Sequence, residues 1–217
     1  MGTTERKEQV RNIRREDIIN AAEKVFFLKG YEPSTMDEVA KSAEYSKKTL
    51  YSYFQSKEQL LQAIIFRAFW TLNQMINTEI VDKITLNGLA KLKLLGETFI
   101  QFSIRYPKYF ETLVIYNSSN SELSADDSYK KASHNEGEKT LGYLVRVLKE
   151  GVSDNSIRND LHIQKTAFVL YANIIGISNL VLNKEGYLLE QHLSAKELIT
   201  EMFNHIERSI KNTMYRR

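Results

Sequence analysis

Three helix-start signals within residues 35–57 constrain the fold of this chain more than any other feature. Thr35 is a preferred N-cap residue, and Glu38 three positions later completes a capping box. Ser46 and Ser56 repeat the N-cap signal, and apolar residues recur at helical spacing between the signals. The segment therefore predicts two short helices joined by a tight turn, followed by the start of a third helix.

The second short helix combines an apolar face with a basic, hydroxyl-rich face. Leu50 and Phe54 stand at i and i+4 and are expected to point inward, into a small core with Ile18, Ala22, Phe26 and Val39. No acidic residue occurs in residues 45–57, where the outer positions carry lysine, threonine and tyrosine. Two short helices with a tight turn describe a helix-turn-helix, and such a surface suits a phosphate-lined groove. An ordinary helical hairpin with a solvated face remains open on the residues alone.

The stretch resembles the DNA-binding domain of the TetR family of transcriptional regulators. The match runs without a gap from Ile18 to Leu61 and includes TMDEVAKSA, SKKTLYSYF and SKEQLL. Glu44 departs from the family pattern, which usually has a glycine at this turn. A left-handed backbone at Glu44 would cost about 1 kcal/mol. Lys48 stands where a glycine often lets the recognition helix approach DNA closely, and it puts a long cation on that surface.

The resemblance implies contacts with double-stranded DNA. A recognition helix at Ser46–Phe54 is expected to enter the major groove of each half of a roughly palindromic operator. Thr35 and Lys57, at helix N-termini, are expected to hold phosphates, and lysine and threonine side chains to reach base edges. The expected DNA contacts are Thr35, Tyr45, Ser46, Lys47, Lys48, Thr49, Tyr51, Tyr53 and Lys57.

The rest of the chain predicts long helices, because its 217 residues include only two prolines and nine glycines. Apolar residues recur at helical spacing over 16–29, 56–80, 86–105, 108–116, 128–150, 164–183 and 195–212. The fold class is therefore all-α. The resemblance divides the chain into a three-helix helix-turn-helix DNA-binding domain at 9–56 and a helical effector-binding and dimerisation domain at 57–217.

The polar residues 3–15 are rich in arginine and lysine. We expect a frayed terminus here. The alternative is a basic arm that reaches a minor groove or a phosphate.

Aromatic residues on several helices of the second domain admit two interpretations. They fill the core, or they line a pocket for a small, largely apolar or aromatic ligand that tyrosine hydroxyls orient. The family resemblance implies such a pocket, although no residue identifies the ligand. The expected ligand-binding residues are Phe66, Trp70, Phe99, Phe102, Tyr106, Phe110, Tyr143, Phe168 and Tyr171.

The last two helices carry apolar stripes that suit either an intrachain core or a two-fold four-helix bundle. The resemblance implies the homodimer. Gly176 lies in the middle of the first of these helices, where it costs roughly 1 kcal/mol against alanine, and close helix packing would explain it.

Several classes of chemistry find no support in the sequence. There is no cysteine, and the four histidines lack metal-ligand spacing, so we expect no disulfide, metal or cofactor. No phosphate-binding or catalytic motif occurs, which argues against an enzyme. No apolar run approaches the roughly 20 residues of a membrane span, so we expect a cytoplasmic protein without a membrane partner.

The sequence thus predicts a DNA-binding regulator, in particular a repressor released from a palindromic operator by a small ligand. The main alternative is a ligand-independent, DNA-organising dimer whose second domain serves assembly or a protein partner. A small helical enzyme or a ligand-storage protein is disfavoured, because no catalytic constellation is present.

Overall fold

The computed structural model describes residues 3–81, 85–118 and 128–213. These residues form ten helices and contain no β-strand, so the all-α prediction is confirmed. The helices are α1 (Thr3–Lys29), α2 (Met36–Ser42), α3 (Lys47–Tyr53), α4 (Lys57–Val81), α5 (Gly88–Arg105), α6 (Pro107–Ser118), α7 (Ser128–Ser153), α8 (Ile163–Asn183), α9 (Glu185–Glu190) and α10 (Ala195–Ile210).

The first three helices enclose a small core together with the start of α4. Gly30 ends α1 in a left-handed conformation with φ 91°, as expected of a residue without a Cβ atom. All six residues predicted for this core are buried, with exposed fractions of at most 6%. They are Ile18, Ala22, Phe26, Val39, Leu50 and Phe54.

Helix α4 contributes to two hydrophobic cores. Leu60 and Ile64 pack into the first core, whereas Leu72 and Ile76 are buried in the core of the second domain. The division that we propose at residues 56 and 57 assigns all of α4 to the second domain. Its first turns nevertheless pack with the first core, so one uninterrupted helix joins the two units.

The second domain is built on close packing of α4, α5 and α7, with α6, α8 and α10 completing its core. Gly88 of α5 touches the backbone of α7, since a Cβ atom there would lie 2.1 Å from the nitrogen of Gly151. Between α4 and α7, Thr140 donates to Asn73 Oδ1 at 2.8 Å and Asn73 donates to the carboxylate of Glu136 at 2.9 Å. These buried polar groups fix the register of the two helices.

The observed helices depart from the sequence predictions at two places. The expectation of a frayed terminus over residues 3–15 is wrong, because α1 already begins at Thr3. The short α9 was not predicted. Helix α7 continues through Gly137 and Gly142 without a break. The ring of Phe69 packs against Gly137, 3.2 Å from the place that a Cβ atom of residue 137 would occupy.

Candidate DNA-binding surface and effector cavity

Local hydrogen bonds set the starts of α2 and α3. Thr35 Oγ1 accepts the N–H of Glu38 at 3.3 Å, and the Glu38 carboxylate accepts the N–H of Thr35 at 2.9 Å. Ser46 Oγ accepts the N–H of Thr49 at 3.1 Å. The predicted capping box and the second N-cap are therefore confirmed.

The turn between α2 and α3 requires a left-handed residue. Glu44 occupies that position with φ 58°, so the backbone adopts the conformation that favours glycine. The N–H of Tyr45 donates to the carbonyl of Ala40 at 3.0 Å, and the N–H of Glu44 donates to that of Lys41 at 3.2 Å. These bonds hold the turn despite the strain at Glu44.

Helix α3 has one face in the core and one face in solvent. Leu50 and Phe54 are fully buried, whereas Lys48 is exposed and Tyr51 is 49% exposed. The predicted DNA contacts Ser46 and Lys47 are exposed as well, and Thr49 and Tyr53 are half-buried.

The two lysines of α3 differ in their electrostatic surroundings. Lys47 Nζ lies 2.5 Å from Asp37 Oδ2, so α2 already neutralises part of its charge. Lys48 has no ion-pair partner among the described residues. Lys48 is therefore the more available cation on this face.

The side chain of Lys57 has a structural task that sequence reasoning missed. Its ammonium donates to the carbonyls of Tyr31 at 2.9 Å and Glu32 at 3.0 Å, and it lies 4.3 Å from the centre of the Tyr31 ring. It thereby holds the loop between α1 and α2. Because the ammonium is bonded within the chain, an anion would bind here through the N-terminus of α4, of which Lys57 is the first residue.

Thr35 and Tyr45, two further predicted DNA contacts, also bond within the chain. The hydroxyl of Thr35 lies 3.0 Å from the Glu38 carboxylate. Tyr45 donates its hydroxyl to Asp17 Oδ2 at 3.0 Å, which ties the turn to α1. Partial burial and this bond raise the pKa of Tyr45, and the nearby positive charge of Arg14 opposes that rise. Arg14 thus belongs to the same surface, and it lies in residues 3–15, for which a DNA-contacting basic arm was the alternative interpretation.

The second domain contains a cavity of about 330 Å³ between α4, α5, α7, α8 and α10. Its wall is mostly apolar and includes Ile76, Leu89, Leu92, Leu95, Phe99, Leu144, Leu170, Ile174, Phe203 and Ile206. Thr140 and Tyr171 add hydroxyls, and Asn204 and Glu207 add polar groups. Lys93 is exposed and lines the same cavity, so it lies at the rim.

Of the nine predicted ligand-binding residues, Phe99 and Tyr171 line this cavity. Phe102 and Phe110 are completely buried in the surrounding core. The aromatic pattern alone could not separate wall positions from core positions, because both are apolar.

The other five predicted residues lie outside the cavity wall. Trp70 and Phe168 are 50% and 59% exposed, and Phe66 is half-buried. Tyr106 stacks on the ring of Tyr109, and Tyr143 donates to Asn77 Oδ1 at 2.5 Å. The wall residues that sequence reasoning missed are mainly aliphatic, and their helical spacing is the same as that of any core position.

Helix α8 leaves an apolar face uncovered in the single chain. Phe168 and Val169 are each 59% exposed, and no atom lies within 4 Å of a Cβ atom placed on Gly176. By length and mean hydropathy, 1.4, this helix is also the one among the described residues that could cross a membrane. Polar residues such as Asn173 and Asn179 interrupt it.

A polar cluster joins the two domains. Tyr109 of α6 donates its hydroxyl to Glu23 of α1 at 3.0 Å, and Arg67 Nη1 of α4 lies 3.0 Å from the same carboxylate. Arg67 Nη2 also lies 2.6 Å from Glu16. Burial and the negative charge of Glu23 raise the pKa of Tyr109 to about 12, so its hydroxyl remains a donor at neutral pH. We call these residues the Tyr109–Glu23–Arg67 cluster.

The cluster lies one aromatic contact away from the cavity. Phe99 of the cavity wall packs edge-on against Phe110, with ring centres 6.2 Å apart, and Phe110 follows Tyr109 in α6.

Among the described residues, no group of three or more histidine, aspartate or glutamate side chains could hold a metal ion.

Residues 18–64 match the family model of the bacterial regulatory proteins of the tetR family. Over 153 residues the chain is 29% identical to the HTH-type transcriptional repressor KstR2 of Mycolicibacterium smegmatis, covering 69% of this chain and 70% of KstR2. It is 33% identical over 92 residues to the HTH-type transcriptional activator FasR of the same organism, covering 42% of this chain and 41% of FasR. The match therefore spans less than half the length of FasR.

The fold resembles that of the ketosteroid transcriptional regulator KstR2 of Mycobacterium tuberculosis. The TM-score is 0.65 at 19% identity, over 91% of this chain and 95% of the other. The DNA-binding domain of this chain, residues 18–64, belongs to the TetR family. The chain is a DNA-binding transcriptional regulator and not an enzyme.

Replacing Glu44 by glycine in this TetR-type DNA-binding domain is expected to raise the free energy of unfolding by about 1 kcal/mol, because it relieves the left-handed strain. Denaturant unfolding measures the change. Glu44→Ala is the control, since it removes the carboxylate but keeps the Cβ atom. Equal stabilisation by both variants would assign the effect to charge and contradict the backbone argument.

Proposed function

We propose that this protein is a homodimeric repressor that leaves a roughly palindromic operator when a small, largely apolar or aromatic ligand binds the second domain. The observation that carries this proposal is an apolar cavity in a domain joined by one continuous helix to the helix-turn-helix. The description of M. smegmatis KstR2 as a repressor supports repression rather than activation. A cytoplasmic location is part of the proposal.

For operator binding, we propose that α3 enters the major groove. Lys48 is the leading cation for a base edge or a phosphate, since Lys47 shares its charge with Asp37. Tyr51 and Tyr53 offer hydroxyls to phosphates. Among the remaining proposed contacts, Ser46 and Thr49 face the groove, Tyr45 acts beside the turn, and Thr35 and Lys57 act through the backbone N–H groups near their helix starts.

For the effector, we propose a compound with a largely apolar body and one polar or anionic end. The aliphatic and aromatic wall favours the apolar body, and Tyr171 and Thr140 offer hydroxyls. Lys93 at the rim favours the anionic end. The ketosteroid named for M. tuberculosis KstR2 illustrates an apolar skeleton of this class. Phe99 and Tyr171 are the predicted ligand residues that we retain on geometric grounds.

For coupling, we propose that ligand binding displaces Phe99 and α6 and so shifts the Tyr109–Glu23–Arg67 cluster. A ligand changes an equilibrium only by its different affinity for the two states. The cluster supports this proposal because it joins α6, α4 and α1 through charged hydrogen bonds. A tilt of α1 and α4 would alter the separation of the two recognition helices.

For assembly, we propose that α8 and α10 pair with their copies across a two-fold axis. Phe168, Val169 and Gly176 would then be covered, and the glycine would permit close approach of the two α8 helices. The exposed apolar face of α8 in the single chain supports this proposal.

Lys48→Ala and Tyr53→Phe are each expected to weaken operator binding, because each removes one proposed contact. Lys48→Ala should also lower the dependence of log affinity on log salt by about 1. Affinity for a duplex selected from random sequence, measured at several salt concentrations, tests both. Lys149→Ala, an exposed lysine of α7, is the control and should change neither quantity. Unchanged affinity in both variants would contradict the proposed docking face.

Ala90→Trp is expected to fill the cavity, because Ala90 lines it on α5. For this variant, a panel of steroids and fatty acids should neither release the protein from the operator nor raise the melting temperature of the protein. Its DNA affinity without ligand should equal that of wild type. Lys93→Ala should selectively weaken the anionic members of the panel. If the wild-type protein binds members of the panel and keeps its operator affinity, the switch fails and the ligand-independent alternative is favoured.

Tyr109→Phe removes the hydrogen bond between α6 and Glu23. The ratio of operator affinities without and with effector should fall several-fold, because one link between the domains is lost. Tyr143→Phe is the matched control, since it deletes a tyrosine hydrogen bond to Asn77 inside the second domain. Fluorescence anisotropy of labelled operator gives both ratios. The same ratio change in both variants would argue against a special role of the cluster.

A further inference from the structure

The first half of α1 stands away from the rest of the described chain. Every described side chain in residues 4–14 is exposed, and the first completely buried one is Ile18. The helix nevertheless continues without a break from Thr3 into the core of the DNA-binding domain. Residues 4–14 therefore form a projecting helical arm, which is held at one end by the buried half of α1.

Three cations lie along one face of this arm. Lys7, Arg11 and Arg14 are spaced at i, i+4 and i+7, which places them within a sector of about 60° on an α-helix. The same sector continues into Ile18 and Ala22, which are buried against the helix-turn-helix. The cations therefore face the side of α1 on which the DNA-binding helices lie. We call Lys7, Arg11 and Arg14 the basic row.

Acidic residues of α1 lie off the basic row. Glu5, Glu8 and Glu16 fall in a different sector from the basic row. Lys7 and Arg11 stand at i and i+4, a like-charge spacing that destabilises an isolated helix. None of the three cations has an ion-pair partner among the described residues. An anionic partner outside the chain would satisfy this arrangement.

The basic row is continuous with the proposed DNA-binding surface. The charge of Arg14 acts on the hydroxyl of Tyr45, which lies at the turn before α3 and bonds to Asp17 of α1. From there the row runs outward for about 10 Å, the rise from residue 7 to residue 14, which equals about three base-pair steps of duplex DNA. The row therefore begins beside the proposed DNA-binding surface and runs away from it along the exposed half of α1.

We propose that the basic row binds phosphates of the duplex flanking each half-site, outside the groove entered by α3. The proposal depends on the DNA-binding function of the chain and adds a second contact region to it. Phosphates carry no sequence information, so this contact adds affinity and fixes orientation without adding base specificity. The row acts as a rigid clamp, because a helix continuous with the core loses little conformational freedom on binding.

The test uses two duplexes with the same operator, one ending at the half-sites and one extended by about five base pairs on each side. The double variant Lys7→Ala and Arg11→Ala should bind the extended duplex more weakly than wild type. Its salt dependence should be lower by about 2, one for each lost phosphate contact. On the trimmed duplex the variant and the wild type should bind equally.

The matched control removes the same number of charges from α1 but off the basic row. Arg6 and Lys24 both lie about 110° from the centre of that row, and both are exposed. The double variant Arg6→Ala and Lys24→Ala should match wild type on both duplexes. If both double variants lose the same affinity for the extended duplex, the loss is an effect of net charge, and the proposal is overturned.

Two other results would also overturn it. A loss by the Lys7→Ala and Arg11→Ala variant that is the same on both duplexes would place the contact inside the half-site. Unchanged affinity and salt dependence on the extended duplex would show that the row touches no phosphate. In either case specific binding of the trimmed duplex by wild type leaves the proposed function intact, whereas its absence counts against that function itself.

Discussion

Burial of α4 in two cores is the constraint on which the rest of the structure depends. Leu60 and Ile64 anchor its beginning under the helix-turn-helix, and Leu72 and Ile76 anchor its later turns beside the cavity. Because an uninterrupted helix is stiff, hydrophobic burial at both places fixes the orientation of α3 relative to the cavity. Arg67 lies between the two anchors and bonds to α1, so the junction combines apolar packing with charged hydrogen bonds.

The distribution of charge matters more than the small net charge of +3. At the domain junction, Glu16 and Glu23 neutralise the guanidinium of Arg67, which is only 18% exposed. At the outer surface, Lys48 and the basic row have no ion-pair partner among the described residues. Acidic residues thus stabilise the interior of the protein, while the unpaired cations remain on the side that a polyanion would approach.

The cavity shows why aromatic content was a poor guide to ligand contacts. Phe110 is completely buried in the core and Phe168 is exposed, yet both have the same kind of side chain. The cavity wall is instead formed where side chains of α5, α7, α8 and α10 fail to fill the space between these helices. The unfilled space depends on the positions of the helices and not on residue type. For the same reason the sequence did not identify Lys93 at the rim of the cavity.

The sequence by itself determined the capped starts of α2 and α3, the six core residues of the first domain and the all-α class. These features depend on interactions within three or four residues, such as Thr35 with Glu38, which a local pattern records. Only the tertiary structure decided the helical arm of α1, the internal bonds of Lys57 and the contact of Tyr109 with Glu23. The last two join residues far apart in the chain, and the arm is held by a core that forms beyond it, so no local pattern contains them.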